Sequence, residues 1–143
     1  MEKVGKILIP TDGSDCSLRA AELGVSLAKI LGAKILAIYV IDVVILEEIT
    51  KGAEKEVIER ELKEKGEHYL KYVTKLAEKE GLKAEAILAR GVPYDQIVHY
   101  AKFLGADLIV IGTYGRRGAE RILIGTVAER VIEYAPCPVL VVR

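Results

Sequence analysis

Short, nearly continuous apolar runs alternate along the chain with longer stretches whose apolar residues recur every three or four positions. Continuous apolar runs are typical of strands buried on both faces of a parallel sheet, and the longer period is typical of helices that cover the sheet. The predicted strands are Lys6–Pro10 and residues 34–41, 84–89, 107–112 and 138–143. The predicted helices run from a cap at Ser14 or Ser17 to Leu31, and over residues 53–80, 93–104 and 125–134.

This order of elements predicts an α/β fold. Strands that alternate with helices, joined by right-handed crossovers, form an open parallel sheet with helices on both faces. The 143 residues fit one domain spanning residues 1–143. Residues 43–52 follow neither period, and no element is predicted there. Ligands of such sheets bind beyond the carboxyl ends of the strands, where the strand order reverses.

The apolar face of the long helix predicted over residues 53–80 is interrupted by a glycine, Gly66. Its buried positions are predicted to be Ile58, Leu62, Tyr69, Val73 and Leu76. Glu–Lys and Glu–Arg pairs four residues apart, in the favourable order, cover the rest of the helix. We interpret these charged positions as a solvated outer face.

The composition excludes several classes of partner. Twenty-one basic residues balance twenty-one acidic ones, and the sequence pI is about 6.7. A balanced chain is not adapted to bind nucleic acid or an anionic membrane non-specifically. The longest apolar stretch, residues 35–46, contains Asp42 and is shorter than the roughly 20 residues that span a bilayer. Because no signal-peptide pattern opens the sequence, we expect a cytoplasmic protein.

The first candidate binding segment has the sequence PTDGS and follows the first strand, from Pro10 to Ser14. The Asp12 carboxylate could accept hydrogen bonds from sugar hydroxyls or hold a divalent cation at the strand end, and Gly13 permits a tight turn. An ordinary Asp-Gly turn with no ligand is an equally open interpretation of this segment.

The second candidate segment carries two anion-binding devices. Gly112 and Gly115 lack a β-carbon, so the backbone can approach a ligand closely and present its N–H groups. After nine intervening residues, Gly125 and Thr126 open a helix whose free N–H groups favour an anion. Arg116 lies between them, and a guanidinium can bind phosphate through two hydrogen bonds. The segment therefore points to a polyphosphate, and the alternative is that the glycines only shape a loop.

Cysteine and histidine usage offers little catalytic chemistry. Cys16 and Cys137 have no metal-binding spacing and are interpreted as small buried hydrophobes, with a thiol nucleophile at Cys16 as the alternative. His68 and His99 fall on predicted helices away from the strand ends. No phosphate-binding GxxxxGK[ST] motif occurs. No catalytic residue is assigned, and slow Mg²⁺-dependent hydrolysis of ATP remains open.

The motif Gly-x2-Gly-x9-Gly-Thr after the fourth strand resembles that of the ATP-binding branch of the universal stress protein family. The resemblance extends over the chain through KILIPTDGS, LAIYVID, GVPYDQIV, DLIVIGTYGRRG and the closing CPVLVVR, in the family's order. It implies a Rossmann-like sheet of five parallel strands in the order 3-2-1-4-5. Strands one and four would then be neighbours, with Asp12 beside Gly112.

The resemblance also implies an adenine-nucleotide site for ATP, ADP or AMP, with Mg²⁺ or Mn²⁺ held by Asp12 through the phosphates. It implies adenine contacts from Pro10, Thr11 and the backbone of Val40, a ribose contact from Asp12, and ribose or phosphate contacts from Gly112, Gly115, Gly125, Thr126 and Val127.

Family members typically dimerise by antiparallel pairing of their last strands, which implies a homodimer through Val139, Leu140, Val141 and Val142. An apolar edge strand left uncovered is an aggregation hazard, so the physics agrees. The implied function is a sensor or signalling module in stress response that acts on an unknown protein partner. The alternatives are a slow Mg²⁺-dependent ATPase of the same fold and a nucleotide-free dimeric interaction scaffold.

Overall fold

The computed structural model of the protein describes residues 3–114 and 124–143, in which every predicted strand and helix forms and one further helix is present. The elements are β1 (Lys6–Pro10), α1 (Asp15–Leu31), β2 (Lys34–Asp42), α2 (Val43–Ile49), α3 (Ala53–Lys79), β3 (Ala84–Gly91), α4 (Pro93–Phe103), β4 (Leu108–Gly112), α5 (Thr126–Tyr134) and β5 (Val139–Val142). Ser14 caps α1, since its side chain accepts a hydrogen bond from the amide of Ser17.

Helix α2 occupies the segment for which no element is predicted. Asp42 caps it, because one carboxylate oxygen accepts hydrogen bonds from the amides of Val44 at 3.0 Å and Ile45 at 3.2 Å. Leu46 is fully buried and fixes the helix to the rest of the fold. An Asp before an apolar run was the local signal for this helix, but a helix of seven residues is too short to show a period.

The five strands form one parallel sheet in the order β3-β2-β1-β4-β5, which confirms the expected topology. In β1, Ile7 and Ile9 belong to a core cluster that also contains residues of α1 and α3. Leu8 points to the opposite face and packs in a second cluster with residues of α4 and α5. This alternation follows from the two-residue repeat of a strand, so helices cover both faces of the sheet.

The pairing of β1 with β4 is fixed at its starting end by Asp107. One carboxylate oxygen of Asp107 accepts hydrogen bonds from the amides of Gly5 at 2.8 Å and Lys6 at 3.0 Å. The amide of Asp107 in turn donates to the carbonyl of Lys6 at 2.9 Å. The register then pairs Ile7 with Leu108, and continuing this offset brings Thr11 opposite Gly112.

The buried face of α3 differs in part from the prediction. The fully buried residues of this helix are Gly66, Leu70, Val73 and Ala77. Val73 was predicted to be buried, whereas Ile58, Leu62, Tyr69 and Leu76 are only half-buried. The physical reason is that Gly66 does not leave a gap: a side chain of the sheet packs directly against the helix at this position.

The ring of Tyr39 on β2 occupies the space where a side chain at Gly66 would lie. A β-carbon built on Gly66 would overlap the Tyr39 ring, at 2.6 Å from Cε1 and 2.9 Å from Cγ. Tyr39 itself is 4% exposed. The absent side chain therefore lets a large aromatic ring pack flush between helix and sheet.

We expect Gly66→Ala to lower the free energy of unfolding by about 1–3 kcal/mol, because the added methyl group overpacks this contact. The sign is diagnostic, since alanine in a helix interior is otherwise favoured over glycine by about 1 kcal/mol. Chemical denaturation measures the change. The exposed neighbour Glu67→Ala is the control and should stay within about 0.5 kcal/mol of the wild type. A more stable Gly66→Ala variant would contradict the contact.

Candidate functional site

The segments that follow β1 and β4 meet at the carboxyl edge of the sheet. The hydroxyl of Ser14 donates to the carbonyl of Tyr114 at 3.4 Å. Beneath this contact, the thiol of Cys16 lies 3.6 Å from the hydroxyl oxygen of Thr113. The structure thus brings together PTDGS and the beginning of the glycine-containing segment, at the point where the strand order reverses.

Asp12 and Gly13 form the turn that connects β1 to α1. One carboxylate oxygen of Asp12 accepts a hydrogen bond from the amide of Ser14 at 2.9 Å. Gly13 has a φ of 82°, a conformation that a residue with a β-carbon rarely adopts. The backbone therefore forms the turn that the Asp-Gly sequence indicates. The same turn places the half-buried carboxylate of Asp12 at the end of the strand.

Pro10 and Thr11 are buried at the end of β1, and Val40 lies farther along β2. The amide of Thr11 donates to the carbonyl of Ile38 at 2.9 Å. Successive residues of a strand direct their peptide groups to opposite edges. The N–H and C=O of Val40 therefore point to the same edge as those of Ile38, at a level where β1 has already ended.

Gly112 packs against the first turn of α1. A β-carbon built on Gly112 would lie 2.8 Å from the carbonyl carbon of Cys16 and 3.0 Å from its oxygen. These are backbone atoms, which cannot move without moving the helix. The missing side chain of Gly112 is thus required by helix packing, a reason that the spacing of glycines in the sequence does not reveal.

Thr113, which directly follows β4, is hydrogen-bonded to Gly125, which directly precedes α5. The amide of Gly125 donates to the carbonyl of Thr113 at 2.5 Å, and a β-carbon on Gly125 would lie 2.8 Å from that oxygen. Thr113 is 4% exposed, and its amide donates to the carbonyl of Val142 at 2.7 Å. Gly115 and Arg116, two predicted site residues, lie outside the described residues.

Helix α5 begins beside this contact with Thr126 and Val127, which are both exposed. Within the described part of the chain, no side chain caps the helix at Gly125. The first N–H groups of a helix lack intrahelical partners and carry the positive end of the helix dipole. The start of α5 can therefore receive an anion at the same edge as Asp12.

The cysteines and histidines differ in their surroundings, and one cysteine, Cys16, lies beneath the contact between Ser14 and Tyr114. Cys16 is buried, with a guanidinium nitrogen of Arg19 at 3.1 Å from its sulfur. Burial, and to a smaller degree the charge of Asp107, raise the pKa of the Cys137 thiol, which keeps it neutral at pH 7. His68 and His99 are exposed on α3 and α4. Residues 3–114 and 124–143 contain no group of three or more side chains that could hold a metal ion.

The sequence model of the universal stress protein family matches residues 3–143 of this chain. The chain belongs to the universal stress protein family. It is 50% identical over 138 residues to "Universal stress protein MJ0531" of Methanocaldococcus jannaschii, covering 96% of this chain and 81% of the relative. The predicted family membership is confirmed.

Solved structures share the fold of this universal stress protein. The solved structure of MJ0577, a universal stress protein of Methanocaldococcus jannaschii, superposes on this chain with a TM-score of 0.88. The two sequences are 28% identical, and the match covers 99% of this chain and 96% of the other. A universal stress protein from Archaeoglobus fulgidus in complex with dAMP superposes with a TM-score of 0.68 at 27% identity, covering 99% of this chain and 100% of the other. In the described ranges of this universal stress protein, no helix is long and apolar enough to cross a bilayer.

We expect Gly112→Ala to lower the free energy of unfolding by about 1–3 kcal/mol, because the methyl group would meet rigid backbone atoms of Cys16. Chemical denaturation measures this change. Gly5→Ala is the matched control: a β-carbon there meets its nearest neighbour, a carboxylate oxygen of Asp107, at an ordinary 3.6 Å. That control should change stability by less than about 0.5 kcal/mol. Equal stability of the two variants would argue against the α1 contact.

Proposed function

We propose that this universal stress protein binds an adenine nucleotide at the carboxyl ends of β1 and β4 and acts as a homodimeric sensor or signalling module in stress response. The observation that carries the proposal is the convergence of two binding elements at one edge. The Asp12 turn and the start of α5 both reach the segment around Thr113 and Tyr114.

In this proposal the phosphates bind at the start of α5. The N–H groups of its first turn supply donors, the exposed hydroxyl of Thr126 adds one more, and Val127 lies in the same turn. Gly112 and Gly125 are proposed to contact the ligand through their backbone groups. Gly115 and Arg116 are proposed to complete the phosphate site from the intervening segment, where a guanidinium suits a polyphosphate.

The adenine base is proposed to lie beyond the end of β1, against Pro10 and Thr11. Support comes from the direction of the peptide groups of Val40, which point into this space. An N–H and a C=O directed to the same side form a donor and acceptor pair, which is what the edge of an adenine ring requires for recognition.

The Asp12 carboxylate is proposed to contact the ribose and to hold Mg²⁺ or Mn²⁺ together with the phosphates. Magnesium is typically bound in proteins by one or two carboxylates plus substrate phosphates, with water completing its shell. A single carboxylate at the strand end is sufficient for such a site once the nucleotide is present, and no preformed protein cage is needed.

A relative supports the choice of ligand. The Archaeoglobus fulgidus universal stress protein that shares this fold holds dAMP, a nucleotide with an adenine base and one phosphate. We extend this to ATP because Arg116 and the start of α5 offer more hydrogen-bond donors than one phosphate needs.

We also propose that the protein is cytoplasmic.

We expect Asp12→Asn to weaken ATP binding in the presence of Mg²⁺ by about tenfold or more, because the charge is lost. Asparagine keeps a side-chain oxygen that can accept from the amide of Ser14, so the turn and the melting temperature should be unchanged. Isothermal titration of nucleotide-stripped protein measures the affinity. Asp95→Asn, an exposed carboxylate on α4, is the matched control and should bind like the wild type.

The outcomes separate the proposed function from its alternatives. Wild-type protein that shows neither binding heat nor thermal stabilisation with ATP would favour a nucleotide-free scaffold. Steady release of phosphate that disappears in Asp12→Asn would favour the ATPase. Binding without turnover supports the sensor.

The homodimer is proposed to form through β5, which lies at the edge of the sheet. The carbonyls of Pro138 and Val142 accept hydrogen bonds from Ile109 and Thr113 and so face the sheet. By alternation, the peptide groups of Val139 and Val141 point outward from this edge. Leu140 is 37% exposed, and a partner strand would cover it.

We expect Val141→Pro to convert the dimer to a monomer, because proline removes an outward N–H while sparing the bonds to β4. Light scattering coupled to gel filtration measures the mass. Ala86→Pro is the matched control: the carbonyl of Lys83 bonds to β2, so by alternation the peptide groups of Ala86 point outward at the opposite edge. That variant should remain dimeric. If Ala86→Pro dissociates the dimer and Val141→Pro does not, the interface lies at the β3 edge.

A further inference from the structure

Tyr69, on the middle of α3, covers the turn that holds Asp12. A β-carbon built on Gly13 would overlap the Tyr69 ring, at 2.5 Å from Cε2 and 2.6 Å from Cε1. The ring therefore packs directly on the backbone of Gly13, on the side where any other residue would carry its side chain. Neither the charge pattern of α3 nor the PTDGS motif predicts this contact between Tyr69 and Gly13.

The position of the Tyr69 ring is itself determined by packing. Its centroid lies 6.0 Å from that of Tyr39, with the rings inclined at 46°. Tyr39 fills the space against Gly66, which is three residues before Tyr69 and on the same side of the helix. Helix α3 thus accepts one tyrosine from the sheet at Gly66 and presents another to the turn at Gly13.

Two contacts together restrict the Asp12 carboxylate. The hydrogen bond from the Ser14 amide ties one carboxylate oxygen to the backbone across Gly13. The Tyr69 ring blocks movement of Gly13 toward α3. Glycine in an exposed turn would otherwise sample many conformations, so covering it removes conformational freedom that ligand binding would have to restrict.

We propose that Tyr69 is a positioning residue for the nucleotide site: its ring orders the Asp12–Ser14 turn before the ligand arrives. The inference rests on the proposed function for its ligand, whereas the ordering of the turn is testable without one. Tyr69 acts through Asp12 and needs no contact with the nucleotide.

We expect Tyr69→Ala to weaken binding of ATP with Mg²⁺ by about three- to tenfold, which is the cost of ordering one more flexible segment on binding. Tyr69→Phe keeps the ring and should therefore bind more tightly than Tyr69→Ala. Tyr72→Ala removes a tyrosine that is 37% exposed on the same helix and controls for helix effects. Should Tyr69→Ala fail to fold, Tyr69→Leu keeps the apolar volume and removes the flat ring.

A double-mutant cycle separates positioning from general destabilisation. In an Asp12→Ala background, Tyr69→Ala should cost no further affinity, because the group that the ring positions is absent. Additive losses would overturn the proposal, as would unchanged affinity of Tyr69→Ala or equal weakening by Tyr69→Phe.

The ligand-free readout is hydrogen exchange at the Ser14 amide, which donates to Asp12. We expect Tyr69→Ala to accelerate exchange at Ser14 by about tenfold in protein that remains folded, whereas Tyr72→Ala should leave this rate unchanged. Tyr69→Phe, which keeps the ring, should accelerate exchange at Ser14 less than Tyr69→Ala does. If the wild type binds no nucleotide, the proposed function fails and the inference loses its ligand; if it binds and the Ser14 rate is insensitive to Tyr69, only the positioning role fails.

Discussion

The parallel pairing of β1 with β4 is the contact on which both the fold and the candidate site depend. It joins the β3-β2-β1 half of the sheet to the β4-β5 half. Asp107 sets its register by accepting hydrogen bonds from two successive amides, those of Gly5 and Lys6. Because the two strands are parallel, their carboxyl ends lie at the same edge of the sheet. The hydrogen bonds of Asp107 at the amino ends of the strands therefore determine which residues meet at the carboxyl ends.

Three of the described glycines are places where other groups pack. Gly66 receives the ring of Tyr39, Gly13 lies beneath the ring of Tyr69, and Gly112 admits the backbone of Cys16. Protein interiors are packed densely enough that a single added methyl group must displace a neighbour. Two of these glycines lie at the proposed nucleotide site, so any exchange there would alter packing before it altered ligand contacts.

Much of this architecture could be predicted from the sequence because it is encoded locally. Apolar runs, helix periods and the Ser14 cap give the order of elements, and the glycine spacing with the flanking motifs gives the family and the strand order. What the sequence could not supply depends on contacts between distant segments. The buried face of α3 differs from its apolar pattern because Tyr39 fits against Gly66, and the residue that covers Gly13 lies on α3, four elements later along the chain. Helix α2 was missed because one capping Asp42 gave the only local signal.

Thr113 connects the two regions that the proposed function requires. Its carbonyl accepts from the amide of Gly125 at the start of α5, and its amide donates to Val142 in β5. A phosphate that shifts Gly125 would therefore act on the residue that also holds the proposed dimer strand. Proximity of this kind becomes coupling only if the segment has two arrangements that ligand and partner favour differently. Thr113 is almost completely buried and densely packed, so a displacement there is accommodated by repacking its neighbours. For a sensor, this repacking around Thr113 would transmit nucleotide binding at the start of α5 to the proposed dimer strand β5.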